Sequence, residues 1–206
     1  MPRDKTDTHR RLLPCIKQEF LQYGYDKASL KNIARNAGIT AAGLYRHFPS
    51  KEAMFSAMVE PVTSEFLDGC NASMEETYAK LSDKDFLEHF NEFRAAKNAE
   101  VISYMYDHYD VFRLLLVCSK GTPYENFEEK MIQLEQQSIR DLFDVLDKRN
   151  IPHHQVSEDE LHILCTALVT AVCEAIRHEY TWEQALHHMD FVEKMLYPGI
   201  KEVLGF

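Results

Sequence analysis

The clearest pattern of hydrophobic and polar positions lies near the N-terminus, in residues 29–55. Apolar residues recur there at helical spacing: they are Leu30, Ile33, Ala34 and Ala37. Ser29 is a suitable N-cap, and Gly38 permits the left-handed backbone that ends many helices. The pattern therefore predicts a short amphipathic helix followed by a glycine turn.

A second short helix is predicted over residues 41–48, with Thr40 as its cap. Pro49 disfavours helical geometry at the residue before it, so this helix has only about two turns. Ser50 then caps a third helix that begins at residue 51. A helix, a glycine turn and a short helix form the helix-turn-helix pattern, in which the second helix enters the DNA major groove.

Two prolines leave the neighbouring helices open to alternatives. The first helix is predicted from about Thr8 to Tyr23 and ends at Gly24, but Pro14 either kinks it or moves its start to near residue 13. The helix after Ser50 contains Pro61, which marks either a hinge or the first position of a new helix.

The remaining pattern is helical, and the fold class is all-α. A helix capped by Ser82 has one apolar face, formed by Phe86, Leu87, Phe90 and Phe93. Further helices are predicted over about 124–149, from Ser157 onward with Glu160 completing a capping box, and over 182–204. The domain boundaries predicted from these elements are 1–50 for the helix-turn-helix domain and 51–206 for a larger helical domain.

The balance of charge also changes near this boundary. The net charge is −10, yet residues 1–58 carry 10 Lys and Arg against 5 Asp and Glu, a net +5, and the remainder carries −15. Basic charge is therefore concentrated around the helix-turn-helix, where a phosphate-binding surface requires it.

Residues of the first 60 positions resemble the DNA-binding domain of the tetracycline-repressor (TetR) family. The matching residues are Phe20, Gly24, Tyr25, Ile33, Ala34, Ala37, Gly38, Ile39, Leu44, Tyr45, Arg46, His47, Phe48, Ser50, Lys51 and Glu52. The resemblance implies a DNA-binding regulator with a second, helical domain that binds an effector and a second copy of the chain.

The resemblance also implies roles for particular residues. Residues 40–43 (Thr40, Ala41, Ala42 and Gly43) are expected nearest the base edges, with their small side chains exposed. Tyr45, His47 and Lys51 are expected to bind phosphates, and Lys31 and Arg46 to reach a base or a phosphate. Ser29 opens a helix whose free N–H groups can bind phosphate.

In the helical domain the resemblance implies that the last two helices pack against their symmetry mates. The residues assigned to this interface are Leu161, Leu164, Leu168, Val172, Met189 and Leu196. Coverage of the same faces within one chain is the alternative. An effector pocket is expected among aromatic and apolar residues, with packed core as its alternative: Tyr104, Met105, Tyr109, Phe112, Phe127, Met131 and His162.

Other functional classes have weaker support in the sequence. The ten histidines form no HExxH or Glu-x-x-His motif, and no Gly-rich phosphate loop or CxxC pair is present. We therefore expect no enzyme activity, no metal and no cofactor. The five scattered cysteines favour reduced thiols, and the polar start and short apolar runs favour a cytoplasmic protein without a signal peptide or membrane span.

The function predicted from the sequence is a homodimeric transcriptional repressor. It would bind a double-stranded, palindromic DNA operator and be released by a small-molecule effector. One alternative is an effector-independent architectural or cell-division factor with the same fold. A helical enzyme or metal sensor is the other.

Overall fold

The structure is a computed structural model that describes residues 5–80 and 96–205, and these are helical apart from short connections. The helices are α1 (Lys5–Lys27), α2 (Leu30–Asn36), α3 (Ala41–Tyr45), α4 (Lys51–Lys80), α5 (96–107), α6 (Tyr109–Val117), α7 (Phe127–Arg149), α8 (Glu158–Arg177) and α9 (Trp182–Leu204). The all-α expectation is confirmed. The helix predicted after Ser82, with Phe86, Leu87, Phe90 and Phe93, lies outside the described residues.

Pro14 and Pro61, whose effect the sequence left open, both lie inside helices. α1 starts at Lys5 and runs through Pro14, so it does not begin near residue 13. Gly24, at φ 72°, interrupts the helical backbone as predicted. α4 continues through Pro61, so the alternative that a helix ends at residue 60 is wrong.

The described residues form two compact units. The first comprises residues 5–64 and 108–126, and the second comprises residues 65–80, 96–107 and 127–205. In the first unit, apolar residues of α1, α2, α3, α4 and α6 share a core. Phe55 lies at its centre, with its ring 5.3 Å from Phe20 and 6.0 Å from Tyr124. The loop after α6 belongs to this unit too, since the N–H of Tyr25 donates to the carbonyl of Cys118 at 2.8 Å.

The second unit is built around α7, α8 and α9. α8 begins with the predicted capping box of Ser157 and Glu160, and α9 has a further one at Thr181 and Gln184. Burial of apolar residues on the facing sides of α7 and α8 supplies the main stabilisation of this pair. α7 begins three residues after the predicted start, because residues 118–126 form turns.

Candidate nucleic-acid interface

A buried carboxylate of α1 positions the start of α2. Glu19 is only 5% exposed, and its Oε1 accepts a hydrogen bond from the N–H of Ser29 at 2.8 Å and one from Asn32 Nδ2 at 3.4 Å. Ser29 caps α2 by accepting the N–H of Asn32, as its sequence position predicts. Polar contacts as well as apolar packing therefore fix α2, the first helix of the helix-turn-helix, to α1.

The turn between α2 and α3 has the predicted geometry. Gly38 lies at φ 68°, the left-handed region that favours glycine. The N–H of Ile39 donates to the carbonyl of Ala34 at 2.9 Å, which closes the end of α2. Thr40 then caps α3 by accepting the N–H of Gly43 at 3.1 Å.

α3 is shorter than predicted and presents a smaller tip. It ends at Tyr45 rather than at residue 48, and a turn brings the buried Phe48 back to the core. Ala41 and Ala42 are exposed as expected, but Gly43 is buried. A Cβ added at Gly43 would lie 3.3 Å from Thr40 Oγ1 and 3.6 Å from Ile39 Cβ, so this residue faces the turn.

Hydrogen-bond donors surround this tip. Tyr45 is 51% exposed, and Lys31, Arg46 and Thr40 are exposed, whereas His47 is half-buried. Arg35, which sequence reasoning did not select, is also exposed, and its guanidinium donates to Asn32 Oδ1 at 3.1 Å. Arg35 is basic and lies four residues after Lys31, on the same face of α2. This spacing was the sequence signal that could have identified it as a candidate DNA-binding residue.

Lys51 has structural contacts of its own at the start of α4. Its ammonium donates to the carbonyl of Asp26 at 3.1 Å and lies 4.9 Å from the centroid of the Tyr25 ring. Partial burial lowers the pKa of Lys51, and the nearby carboxylates of Asp26 and Glu19 oppose that shift. Ser50 caps α4 by accepting the N–H of Ala53 at 3.0 Å, as predicted.

The second unit contains a cavity of about 350 Å³, here called the body cavity. Residues of α4, α5, α7 and α8 line it, among them Phe66, Gly69, Val101, Leu134 and Val172. Two of the seven residues predicted for an effector pocket, Tyr104 and Met131, are among the lining residues.

The other five predicted pocket residues lie elsewhere. Met105 and Phe127 are buried, while His162 is exposed on α8. Tyr109 and Phe112 belong to α6 and to the first unit. Aromatic residues that are close in sequence are therefore divided between two cores.

The residues predicted for the dimer interface are mostly covered within the chain. Leu161, Leu168, Val172 and Met189 are at most 6% exposed, and Leu164 and Leu196 are partly exposed. Other apolar residues of α8 and α9 are more exposed: Ile163, Leu186, Phe191, Met195 and Val203. The outward faces of these helices, rather than the predicted rows, present apolar surface.

Within residues 5–80 and 96–205, no group of three or more His, Cys, Asp or Glu side chains is arranged to hold a metal ion. The described helices include none that is long and apolar enough to cross a membrane. All five cysteines are free thiols, and Cys118, Cys165 and Cys173 are buried.

A capped short helix, a glycine turn and an exposed second helix define a helix-turn-helix protein. Residues 16–58 match the bacterial regulatory proteins of the tetR family. This match and the helix-turn-helix geometry identify the N-terminal part of the chain as a DNA-binding domain of the tetR type.

Similar curated proteins match mainly the N-terminal part. The nucleoid occlusion factor SlmA of Haemophilus influenzae is 37% identical over 76 residues, which are 36% of this chain and 34% of that protein. The A-factor receptor protein of Streptomyces griseus is 39% identical over 57 residues, 28% and 21% of the two chains. The chain thus spans about a third or less of these two relatives.

Solved structures resemble the whole chain. A TetR-like transcriptional regulator from Rhodococcus has a TM-score of 0.60 at 16% identity, with 96% of this chain and 97% of that one covered. NalD of Pseudomonas aeruginosa, the secondary repressor of the MexAB-OprM multidrug efflux pump, has a TM-score of 0.53 at 21% identity, with 98% of each chain covered. At these identities the likeness shows the fold alone.

Proposed function

We propose that the protein is a homodimeric transcriptional repressor that binds a palindromic DNA operator through α3. The exposed tip of this helix carries the proposal, because it is small, capped and surrounded by hydrogen-bond donors. Ala41 and Ala42 can approach base edges closely, including the thymine methyl group. Tyr45, Arg46 and Lys31 are exposed around this tip and would bind backbone phosphates. Such contacts fix position rather than sequence.

A second copy of the chain would supply the other half of the interface. A single short helix reads few base pairs, whereas two symmetry-related helix-turn-helix domains bind half-sites about one helical turn apart. The exposed residues Ile163, Phe191 and Met195 support a dimer through the outward faces of α8 and α9. Phe191 and Met195 are four residues apart and so share one face of α9.

Release by a small molecule is the regulatory part of the proposal. The body cavity is of a size that small-molecule sites have, about 300–1,000 Å³, and its walls are mainly apolar. α4 contributes residues to this cavity and also begins next to the helix-turn-helix. A ligand that favours the non-binding state a hundredfold shifts the equilibrium by about 2.7 kcal/mol.

Footprinting tests the proposal directly. The protein would be titrated on DNA from upstream of its own gene at several salt concentrations, and one protected palindrome with steep salt dependence is expected. Ala42→Glu places a negative charge on the exposed tip and should abolish protection. The same substitution at Ala99, exposed on α5, is the matched control and should leave protection unchanged.

An effector-independent DNA-binding factor is the second candidate. The 37% identity with a nucleoid occlusion factor over 76 residues favours it. Genome-wide binding distinguishes the two functions, since many dispersed sites would support this candidate and one or a few promoters would support the repressor.

A further inference from the structure

The body cavity combines apolar walls with an excess of carboxylates. Glu65, Glu100, Glu135 and Asp141 line it. Among the residues that the structure describes, Lys97 is the only cationic side chain of the lining, and its ammonium lies 2.9 Å from the carboxylate of Glu100. Among the described lining residues, carboxylates thus outnumber cationic side chains by four to one.

Two other titratable side chains of the lining, Tyr104 and Cys70, do not change this excess of negative charge near neutral pH. Burial raises the pKa of Tyr104 to about 12, and its hydrogen bond with Glu65 and the charge of that carboxylate act in the same direction. Burial also raises the pKa of the Cys70 thiol to about 11, with a smaller contribution from Glu135. Both groups are uncharged at neutral pH, so the carboxylates decide which ligands are favoured.

We propose that the body cavity binds amphipathic organic cations, meaning a small apolar or aromatic group that carries a quaternary ammonium or a protonated amine. The apolar part would contact residues such as Val101 and Val172, because their burial by a ligand is favourable. The cationic head would lie near Glu65 and Glu135. The rings of Phe66 and Tyr104, 5.7 Å apart, add aromatic faces that attract cations.

An anion of the same shape would meet the opposite balance. Its charge would be moved from water to a site with several carboxylates, where both desolvation and like-charge repulsion oppose binding. The inference rests on the proposed function, because the same cavity is the proposed effector site. It adds the chemical class of the ligand.

A pair of probes with one chain length and opposite charge tests this. Isothermal titration calorimetry of the full-length protein would compare octyltrimethylammonium with octanesulfonate. We expect the cation to bind at least tenfold more tightly, with the difference decreasing as salt is added.

One variant should block the cavity without disturbing the fold. Gly69 lies within α4 on the cavity wall, and a Cβ built there has no atom within 4 Å. Gly69→Leu should therefore reduce affinity for the cation at least tenfold. Ala57→Leu is the matched control, because Ala57 is exposed on the same helix and does not line the cavity.

A second variant tests the charge alone. Glu135→Gln keeps the shape of the side chain and should weaken cation binding about fivefold, while narrowing the difference between the two probes. Asp144→Asn on the same helix is its control, since Asp144 is exposed and lies outside the cavity lining. This variant should bind both probes as the wild type does.

The results separate this inference from the proposed function. Equal affinities, tighter sulfonate binding, no binding of either probe, or cation binding that persists in Gly69→Leu would overturn the inference. If the cation binds the wild type and not Gly69→Leu, yet leaves the operator affinity of the wild type unchanged, the inference is supported and release by the ligand is refuted. Failure of footprinting without ligand would refute the DNA proposal and leave the calorimetric result intact.

Discussion

The side chain of Lys51 offers a quantitative test of how the proposed interface divides its tasks. If its ammonium binds a phosphate, Lys51→Gln removes one counterion-releasing contact, and the slope of log affinity against log salt falls by about 0.9. Between 50 and 200 mM salt, the affinity ratio of wild type to variant should then decrease about 3.5-fold. Preference among operator sequences should not change, because phosphate contacts carry no sequence information directly.

The structure adds a second effect that must be measured separately. The ammonium of Lys51 also donates a hydrogen bond to the carbonyl of Asp26 at 3.1 Å and lies 4.9 Å from the centroid of the Tyr25 ring. Loss of these contacts on a partly exposed side chain should lower the free energy of unfolding by about 1–2 kcal/mol. Urea denaturation without DNA measures this cost, so that it is not mistaken for a loss of DNA contacts.

Fluorescence anisotropy with labelled operator DNA across a salt series supplies the affinities. Lys130→Gln makes the same charge change at an exposed position of α7 and should leave the salt slope unaltered. If Lys51→Gln altered sequence preference and kept the full salt slope, the assignment of Lys51 to a phosphate would be wrong.

Other expected outcomes concern stability, assembly and specificity. Gly69→Ala should raise the free energy of unfolding by about 0.5–1 kcal/mol in urea, since glycine weakens a helix interior. Burial raises the pKa of Cys173 and of Tyr104 to about 12, so the unfolded chain loses these two protons at lower pH than the folded chain does. The Tm should therefore be steady below about pH 8 and fall as pH rises above it, less steeply in Cys173→Ala. Phe191→Glu should convert a dimer into a monomer in sedimentation. Ala42→Gln should change the sequences recovered in an operator selection, and unchanged sequences would refute base contact.

The helix-turn-helix could be predicted from sequence because its signals are local. Ser29, Gly38, Thr40 and Ser50 act on neighbouring N–H groups or on their own backbone, and each is where the pattern predicted it. The burial of Gly43 was missed because one turn of helix gives too few positions to establish which side faces the core. The role of Glu19 was also missed, although a carboxylate on the helical stripe of Leu12, Ile16 and Phe20 was a visible signal.

The cavity and the outward apolar faces depend on contacts between distant segments. Periodicity identifies an apolar stripe, but it does not state which neighbour covers it, and so Leu161 and Val172 were assigned to a dimer although this chain buries them. Tyr104 and Tyr109 are five residues apart yet belong to different compact units. The boundary at residue 50 and the roles of individual DNA-binding residues stay predictions.

The contact between Glu19 and α2 has a consequence for building chimeric regulators. A designer who exchanges only residues 28–50 for those of a relative would leave behind the carboxylate that holds the N–H of Ser29 and the amide of Asn32. If the incoming segment lacked matching donors, Glu19 would become a buried acceptor without partners, at a cost of about 1–3 kcal/mol or more for a charged group. The portable unit of DNA recognition therefore begins within α1, and an exchange point upstream of residue 19 should preserve it.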